Sequence, residues 1–371
     1  MIKLSQPNIS EFAINSVAEV LRSGKLVHGE ESEAFEQELA AYIGCNNAIL
    51  VSSGTAALHI ALMALDIGPG DAVIVPDFTF PATANVVAMV GARAIIVDVN
   101  LDNYTLSIKH LEETIQNWKG PERLRAIMPV HEFGCPADMN AIKNIAKNSN
   151  LFIVEDAACA LGATFKDKKT GTLGDIGCFS FHPRKTLTTG EGGLLTTNNS
   201  DLATRIRRLR NHGMERGPEG MSFIEPATNY RLTNFQAALG RAQLPELDGW
   251  IEIRRKLAQH YLLKLRPLEE KKLIKLPTPA DGHSWQTFML VLKNNIDRAS
   301  VINNLKSKNI ESNLGAQSLT EIGIYGVMDN ECPNGKELFH NGLALPFFEG
   351  LNEENVDYIV EALEACLTQY S

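Results

Sequence analysis

The chain has 371 residues, 44% hydrophobic and 21% charged, the balance of an ordinary globular protein long enough for two domains. Its formal charge of −9 argues against a nucleic-acid binder, which would carry a basic surplus, but leaves room for an anionic small molecule met by a few placed cations or backbone N–H groups. Six scattered cysteines (45, 135, 159, 178, 332 and 366), none in a Cys-x-x-Cys pair, suit neither a zinc site nor a disulfide scaffold. They predict a reducing, cytoplasmic setting and no metal. Residues 1–31 hold no apolar signal core, and the apolar stretches 56–65 and 86–99 are broken by His59 and Arg93, so no membrane role is expected.

In chain order, strands and helices alternate over the first two-thirds. A short buried strand is predicted over 48–52, an apolar helix over 56–64, a strand over 72–76 and a helix over 82–90. Strands follow at 94–97 and 126–130, then a helix over 138–147 with Ile142, Ile145 and Ala146 on one face. A strand over 151–154 runs into Glu155 and Asp156. This alternation argues for a parallel α/β sheet, in which ligands bind beyond the C-terminal strand ends. From Asn234 a helical pattern continues to about residue 265, broken at Pro245. Then come a strand at 287–292, a helix over 299–308 and a closing helix over 356–367. The change of pattern predicts a large α/β domain over 1–245 and a smaller C-terminal α+β domain over 246–371.

Four segments could carry chemistry. Ser53, Gly54 and Thr55 lie at a strand-to-helix turn, where exposed N–H groups and the helix dipole favour an anion; simple capping would also explain them. Asp156 ends a buried strand beside Ala157 and Ala158, which leave space for a flat ring; it too could be a helix cap. Around Lys185, polar residues from Ser180 to Gly193 stand between two apolar strands. A lysine amine forms a Schiff base with an aldehyde when its site lowers its pKa, whereas an average lysine is a surface charge. Asn229, Tyr230 and Arg231 precede a helix that Thr233 could cap, and turn chemistry explains them as well as function does.

Taken together and in order, these segments resemble the DegT/DnrJ/EryC1/StrS family of sugar aminotransferases. The similarity runs from Ser23, Gly24, Gly29 and Phe35-Glu36 through Ser53-Gly54-Thr55, Thr79-Phe80 and Gly134…Pro136-Ala137-Asp138-Met139. It continues with Glu155-Asp156-Ala157-Ala158, the Lys185 segment and Asn229-Tyr230-Arg231. The resemblance implies a fold type I enzyme: a mostly parallel seven-stranded α/β/α sandwich with a smaller C-terminal α+β domain, dimeric, with active sites at the subunit interface. It implies pyridoxal 5′-phosphate as cofactor, Lys185 as the Schiff-base lysine and Asp156 as the partner of the pyridine nitrogen. Gly54, Thr55 and Ser180 would bind the phosphate, Phe80 would stack on the ring, and Asn229 would reach in from the other subunit. Three positions depart from the family pattern: Cys159 where Gln or His is common, Gln286 where an aromatic is common, and Ala316-Gln317-Ser318-Leu319 in place of a His-Leu-Gln-like segment.

The rival readings lack their residues. The first strand–helix turn has no Gly-x-Gly-x-x-Gly, Lys185-Thr186 has no glycine before the lysine, and His131-Glu132 has no second histidine at helical spacing. A sugar dehydratase of the same family would carry histidine at position 185, and a non-catalytic member would not need Lys185, Asp156, Ser180 and Asn229 intact. The expected reaction is a ping-pong transamination from L-glutamate to a nucleotide-linked keto-deoxysugar, favoured at C4 of a 4-keto-6-deoxysugar, with C3 of a 3-keto sugar as the alternative.

Overall fold

The computed structural model describes residues 1–218, 220–325 and 331–368. Strands covered on both faces are built around apolar runs, and seven strands form the central sheet. They are β1 (Asn47–Val51), β2 (Asp71–Pro76), β3 (Arg93–Val97), β4 (Arg123–Ile127), β5 (Phe152–Asp156), β6 (Ile176–Ser180) and β7 (Gly193–Thr197). Their order is β1-β7-β6-β5-β4-β2-β3. The pairs from β3 to β6 are parallel, while β7 runs antiparallel to both β6 and β1.

Alternate residues face opposite layers. Val73 and Val75 join a core with the helices Gly54–Ala64, Ala82–Met89 and Ser200–Arg210, while Ala72 and Ile74 pack against Ile108–Asn117 and Met139–Ser149. Each fully buried Val or Ile contributes about 1.5–3 kcal/mol, so this double cover holds the strand ends in place.

The predicted elements correspond to observed ones, with shifts at their ends. The strand expected at 126–130 lies at Arg123–Ile127, because Val130 has left β4 to bridge Asp156. The helix around Pro245 is divided as expected: Asn234–Gln243, a single turn Leu244–Glu246, then Leu247–Glu270, which continues through Pro267.

A second core lies beyond, on the three-stranded antiparallel sheet β8 (Ile274–Lys275), β9 (Phe288–Leu292) and β10 (Gly342–Leu345), covered by the helices Arg298–Ser307 and Glu353–Leu367. We propose the division near residue 246 as a domain boundary; residues 326–330 and 369–371 of the second part are outside the described residues. The packing shows how the parts are joined. Leu247, Trp250 and Ile251 enter the core beside β1, whereas Leu257, Tyr261 and Leu265 of the same helix enter the second core. Residues 2–4 also attach to the second part, where Ile2 bridges Ile310 and the Leu4 carbonyl accepts the Phe347 N–H at 2.9 Å.

Candidate active site

Two consecutive carboxylates end β5, and strand geometry sends them to opposite faces. Glu155 accepts N–H groups from Gly171 (2.9 Å), Leu173 (2.6 Å) and Gly174 (2.6 Å), and lies 2.9 Å from His131 Nε2. His131 Nδ1 accepts the Ala137 N–H at 3.1 Å, so the ring proton sits on Nε2 and is donated to Glu155. Glu155 is a structural anchor that pins two loops beneath the site.

Asp156 has a different setting. It is buried, and no helix follows it, which removes the helix-cap reading. One oxygen accepts the Thr83 hydroxyl at 2.9 Å and the other the Ala158 N–H at 3.2 Å. Thr83 is held in turn by Thr79, 3.0 Å away between hydroxyl oxygens. Burial pushes the Asp156 carboxyl above its ordinary value, against these hydrogen bonds and the charge of Lys185.

Lys185 lies in the turn between β6 and β7, its N–H donated to the His182 carbonyl at 2.8 Å. Its ammonium nitrogen is 2.9 Å from Cys159 Sγ. Burial works to lower Lys185, but Cys159, Glu132 and Asp156 together hold it above the ordinary lysine value. Burial likewise raises the Cys159 thiol, against the charge and hydrogen bond of Lys185.

On the opposite rim, Ser53 caps the helix Gly54–Ala64 by accepting the Ala56 N–H at 3.0 Å. A Cβ on Gly54 would stand 2.8 Å from Ser180 Cβ, so only glycine allows these two segments to touch. The half-buried first turn with Thr55 therefore sits beside the Ser180 hydroxyl, an arrangement suited to an anion. Phe80 projects from the short strand Phe78–Thr79 and is 71% exposed. Asn229 is exposed on a segment whose next residue, Tyr230, accepts the Ser52 N–H at 2.8 Å.

The three departures from the family pattern all fall at this site or its border. Cys159 is the residue on Lys185. Gln286 donates through its side chain to the Arg184 carbonyl at 2.6 Å, and through its backbone to the Phe133 carbonyl at 2.8 Å, so it fastens the second core to the Lys185 turn. Gln317 pairs with Thr79 in an antiparallel ladder next to Phe80. Sequence reasoning missed Thr83 and the role of Glu132 in this cluster. Thr83 lacks a local signal, since a threonine on an apolar helix reads as ordinary helix surface.

A family model of the DegT/DnrJ/EryC1/StrS aminotransferases matches residues 7–364. The chain belongs to that family. Among relatives of this DegT/DnrJ/EryC1/StrS member, GDP-perosamine synthase of Caulobacter vibrioides is 38% identical over 90% of this chain and 89% of its own. A DegT/DnrJ/EryC1/StrS aminotransferase from Brucella abortus superposes with TM-score 0.87 at 33% identity, covering 95% of this chain and 94% of that one. The putative sugar aminotransferase Spr1654 from Streptococcus pneumoniae, solved in its PMP-form, gives TM-score 0.92 at 26% identity over 100% of both chains. This DegT/DnrJ/EryC1/StrS chain is thus a fold type I, pyridoxal-phosphate-dependent sugar aminotransferase. Its own residues fit the cofactor: a helix start beside the Ser180 hydroxyl that a Cβ on Gly54 would close, a buried carboxylate held by Thr83 and the Ala158 N–H, and a lysine amine coupled by charge to that carboxylate. Among the described residues, no helix is long and apolar enough to cross a membrane.

Proposed function

We propose that this enzyme moves an amino group from L-glutamate to the ketone of a nucleotide-linked keto-deoxysugar, at C4 of a 4-keto-6-deoxysugar, in the cytoplasm. The observation that carries the reading is the cluster in which Lys185, at the family's lysine position, shares a half-buried site with the buried Asp156. The relative named for making GDP-perosamine supports an acceptor carried on a nucleotide.

When bound, pyridoxal phosphate supplies an aldehyde for amine exchange and a protonated ring that takes up electrons. Lys185 would hold the aldehyde carbon, and its freed amine would serve as the base that takes the proton from the donor's α-carbon. Asp156, fixed by Thr83 and the Ala158 N–H, keeps the ring nitrogen protonated by its charge. Gly54, Thr55 and Ser180 would hold the phosphate, and Phe80 would cover the ring face. Asn229 completes the phosphate site of the other subunit in a homodimer with shared sites.

The test is a panel of nucleotide-linked 4-keto and 3-keto sugars with glutamate, the products read by mass and the position of nitrogen by NMR. Amination of the 4-keto set alone supports the proposal. Amination at C3 alone overturns the assigned carbon, and no amination of any sugar overturns the acceptor class.

A further inference from the structure

Cys159 has no part in the mechanism above, yet its sulfur is the group 2.9 Å from the Lys185 amine. Both side chains leave backbone that is fixed on its own side of this contact. On the thiol side, the Ala158 N–H is donated to the Asp156 carboxylate at 3.2 Å and the Ala157 N–H to the Cys178 carbonyl at 2.8 Å. The Ala160 N–H returns to the Ala157 carbonyl at 2.9 Å, and the Thr170 hydroxyl holds the Ala160 carbonyl at 2.7 Å. One turn therefore sets the direction of the Asp156 carboxyl and the place of the thiol together. On the amine side, the Lys185 N–H reaches the His182 carbonyl at 2.8 Å, and Gln286 fastens the Arg184 carbonyl at 2.6 Å. A lysine head rides on a long flexible stem, so fixed backbone alone does not fix the amine; a partner at the tip does. An ammonium only donates, and a thiol sulfur can accept from it. A hydrogen bond made to the charged form favours that form, so the sulfur supports the amine once it has taken up a proton.

We propose that Cys159 is a positioning residue for Lys185: its sulfur is the seat to which the displaced amine returns, and it accepts an N–H from the ammonium formed when that amine takes the donor's proton. The inference rests on the reading of Lys185 as the cofactor-holding lysine. The seat and the cofactor aldehyde compete for one nitrogen, so loading the cofactor empties the seat and amine exchange fills it again. Glu132, Asp156 and, in the same turn, His182 are also coupled by charge to Lys185. All three stay in place when only the thiol is changed, so a difference between thiol variants belongs to the sulfur. Serine keeps a group that can accept from the ammonium, and alanine removes it.

The first measurement needs no variant. o-Phthalaldehyde joins a thiol and a primary amine that touch into one fluorescent isoindole, with loss of two waters. In full-length cofactor-free protein it should link Cys159 to Lys185, read by fluorescence and by the mass of the joined peptide, and prior loading with pyridoxal phosphate should suppress the link. No such peptide, or equal yield in the loaded protein, would overturn the proposal. The second measurement follows covalent capture of pyridoxal phosphate by absorbance from pH 6 to 10. Cys159→Ala should shift the capture profile to lower pH, with about threefold or more free amine at a given pH, since one pKa unit is a tenfold change; Cys159→Ser should restore the wild-type profile. The glutamate half-reaction of the alanine variant should slow by about threefold or more at saturating glutamate, with half-saturation unchanged, because the freed amine is a weaker base. Matching profiles for alanine and wild type, or serine as displaced as alanine, refute the thiol's role alone. Covalent capture that persists in Lys185→Ala refutes the lysine assignment itself.

Discussion

Thr83→Val isolates the group that orients Asp156. Valine has nearly the shape of threonine, so the fully buried site keeps its packing and loses one hydroxyl. Thr83 has a single hydroxyl hydrogen, and the carboxylate at 2.9 Å is its strongest acceptor. A hydrogen bond to a charged group contributes about 1.5–3 kcal/mol, and its loss favours the protonated carboxyl. Burial already holds that pKa high, and losing the hydroxyl raises it further. The ionised form is the one that pairs with a ring cation, so the defect deepens as pH falls. Glutamate-driven conversion of the bound cofactor, measured in single turnover, should slow by about 10- to 100-fold at neutral pH. The slowing should be larger at pH 6 than at pH 8. Thr83→Ser keeps the hydroxyl and should stay close to wild type. Should the valine and wild-type rates superpose across that range, or should serine fail as badly as valine, Thr83 does not tune Asp156.

Three further outcomes follow from the site. Asp156→Asn should bind pyridoxal phosphate but transfer nitrogen far more slowly, because an amide supplies no charge; near wild-type turnover would make Asp156 a structural residue only. Gly54→Ala should weaken cofactor binding about tenfold or more in an absorbance titration, since its Cβ, 2.8 Å from Ser180 Cβ, forces apart the two halves of the anion site; unchanged affinity would place the phosphate elsewhere. Lys185→Ala and Asn229→Ala homodimers should each be impaired at low cofactor concentration. Refolded together they should regain roughly a quarter of wild-type activity through one repaired site per mixed dimer; a mixture that gives only their average would put Asn229 to work in its own chain or not at all.

The large sheet was readable because strands covered on both faces must be continuously apolar, and runs such as Val73–Val75 are bounded by turns and charges. Asp156 stands out in sequence as a polar end to an apolar strand, and Lys185 as part of a polar stretch between two apolar strands, where a sheet of this kind can meet a ligand. The reversal of β7 was not legible: Gly193–Thr197 is apolar and β-forming in either direction, and its direction depends on how tightly the Lys185 turn closes. Glu155 and Asp156 look equivalent in sequence. Only the loops that supply three N–H groups to the first make it structural and leave the second available. Glu132 was noted as a failed metal motif, because its neighbourhood is assembled from β5, the Lys185 turn and the second core, three stretches remote in the chain. The helices Glu11–Ser23 and Glu30–Ile43 are also hard to read from the sequence. The chain from Ser10 to Gly44 carries good caps at both ends, but the apolar stripe on the second helix is thin.

The helix Leu247–Glu270 is anchored at its start in one core and over its second half in the other. A rigid rod clamped at both ends transmits rotation instead of absorbing it. Any opening of the second core must then twist the rod or slide along it, and Gln286 would carry that displacement directly to the backbone beside Lys185. Grip on the far side of the molecule and the setting of the reactive amine are in this sense one mechanical degree of freedom. Substitutions along the middle of the rod should therefore be read as changes in the compliance of the Lys185 turn.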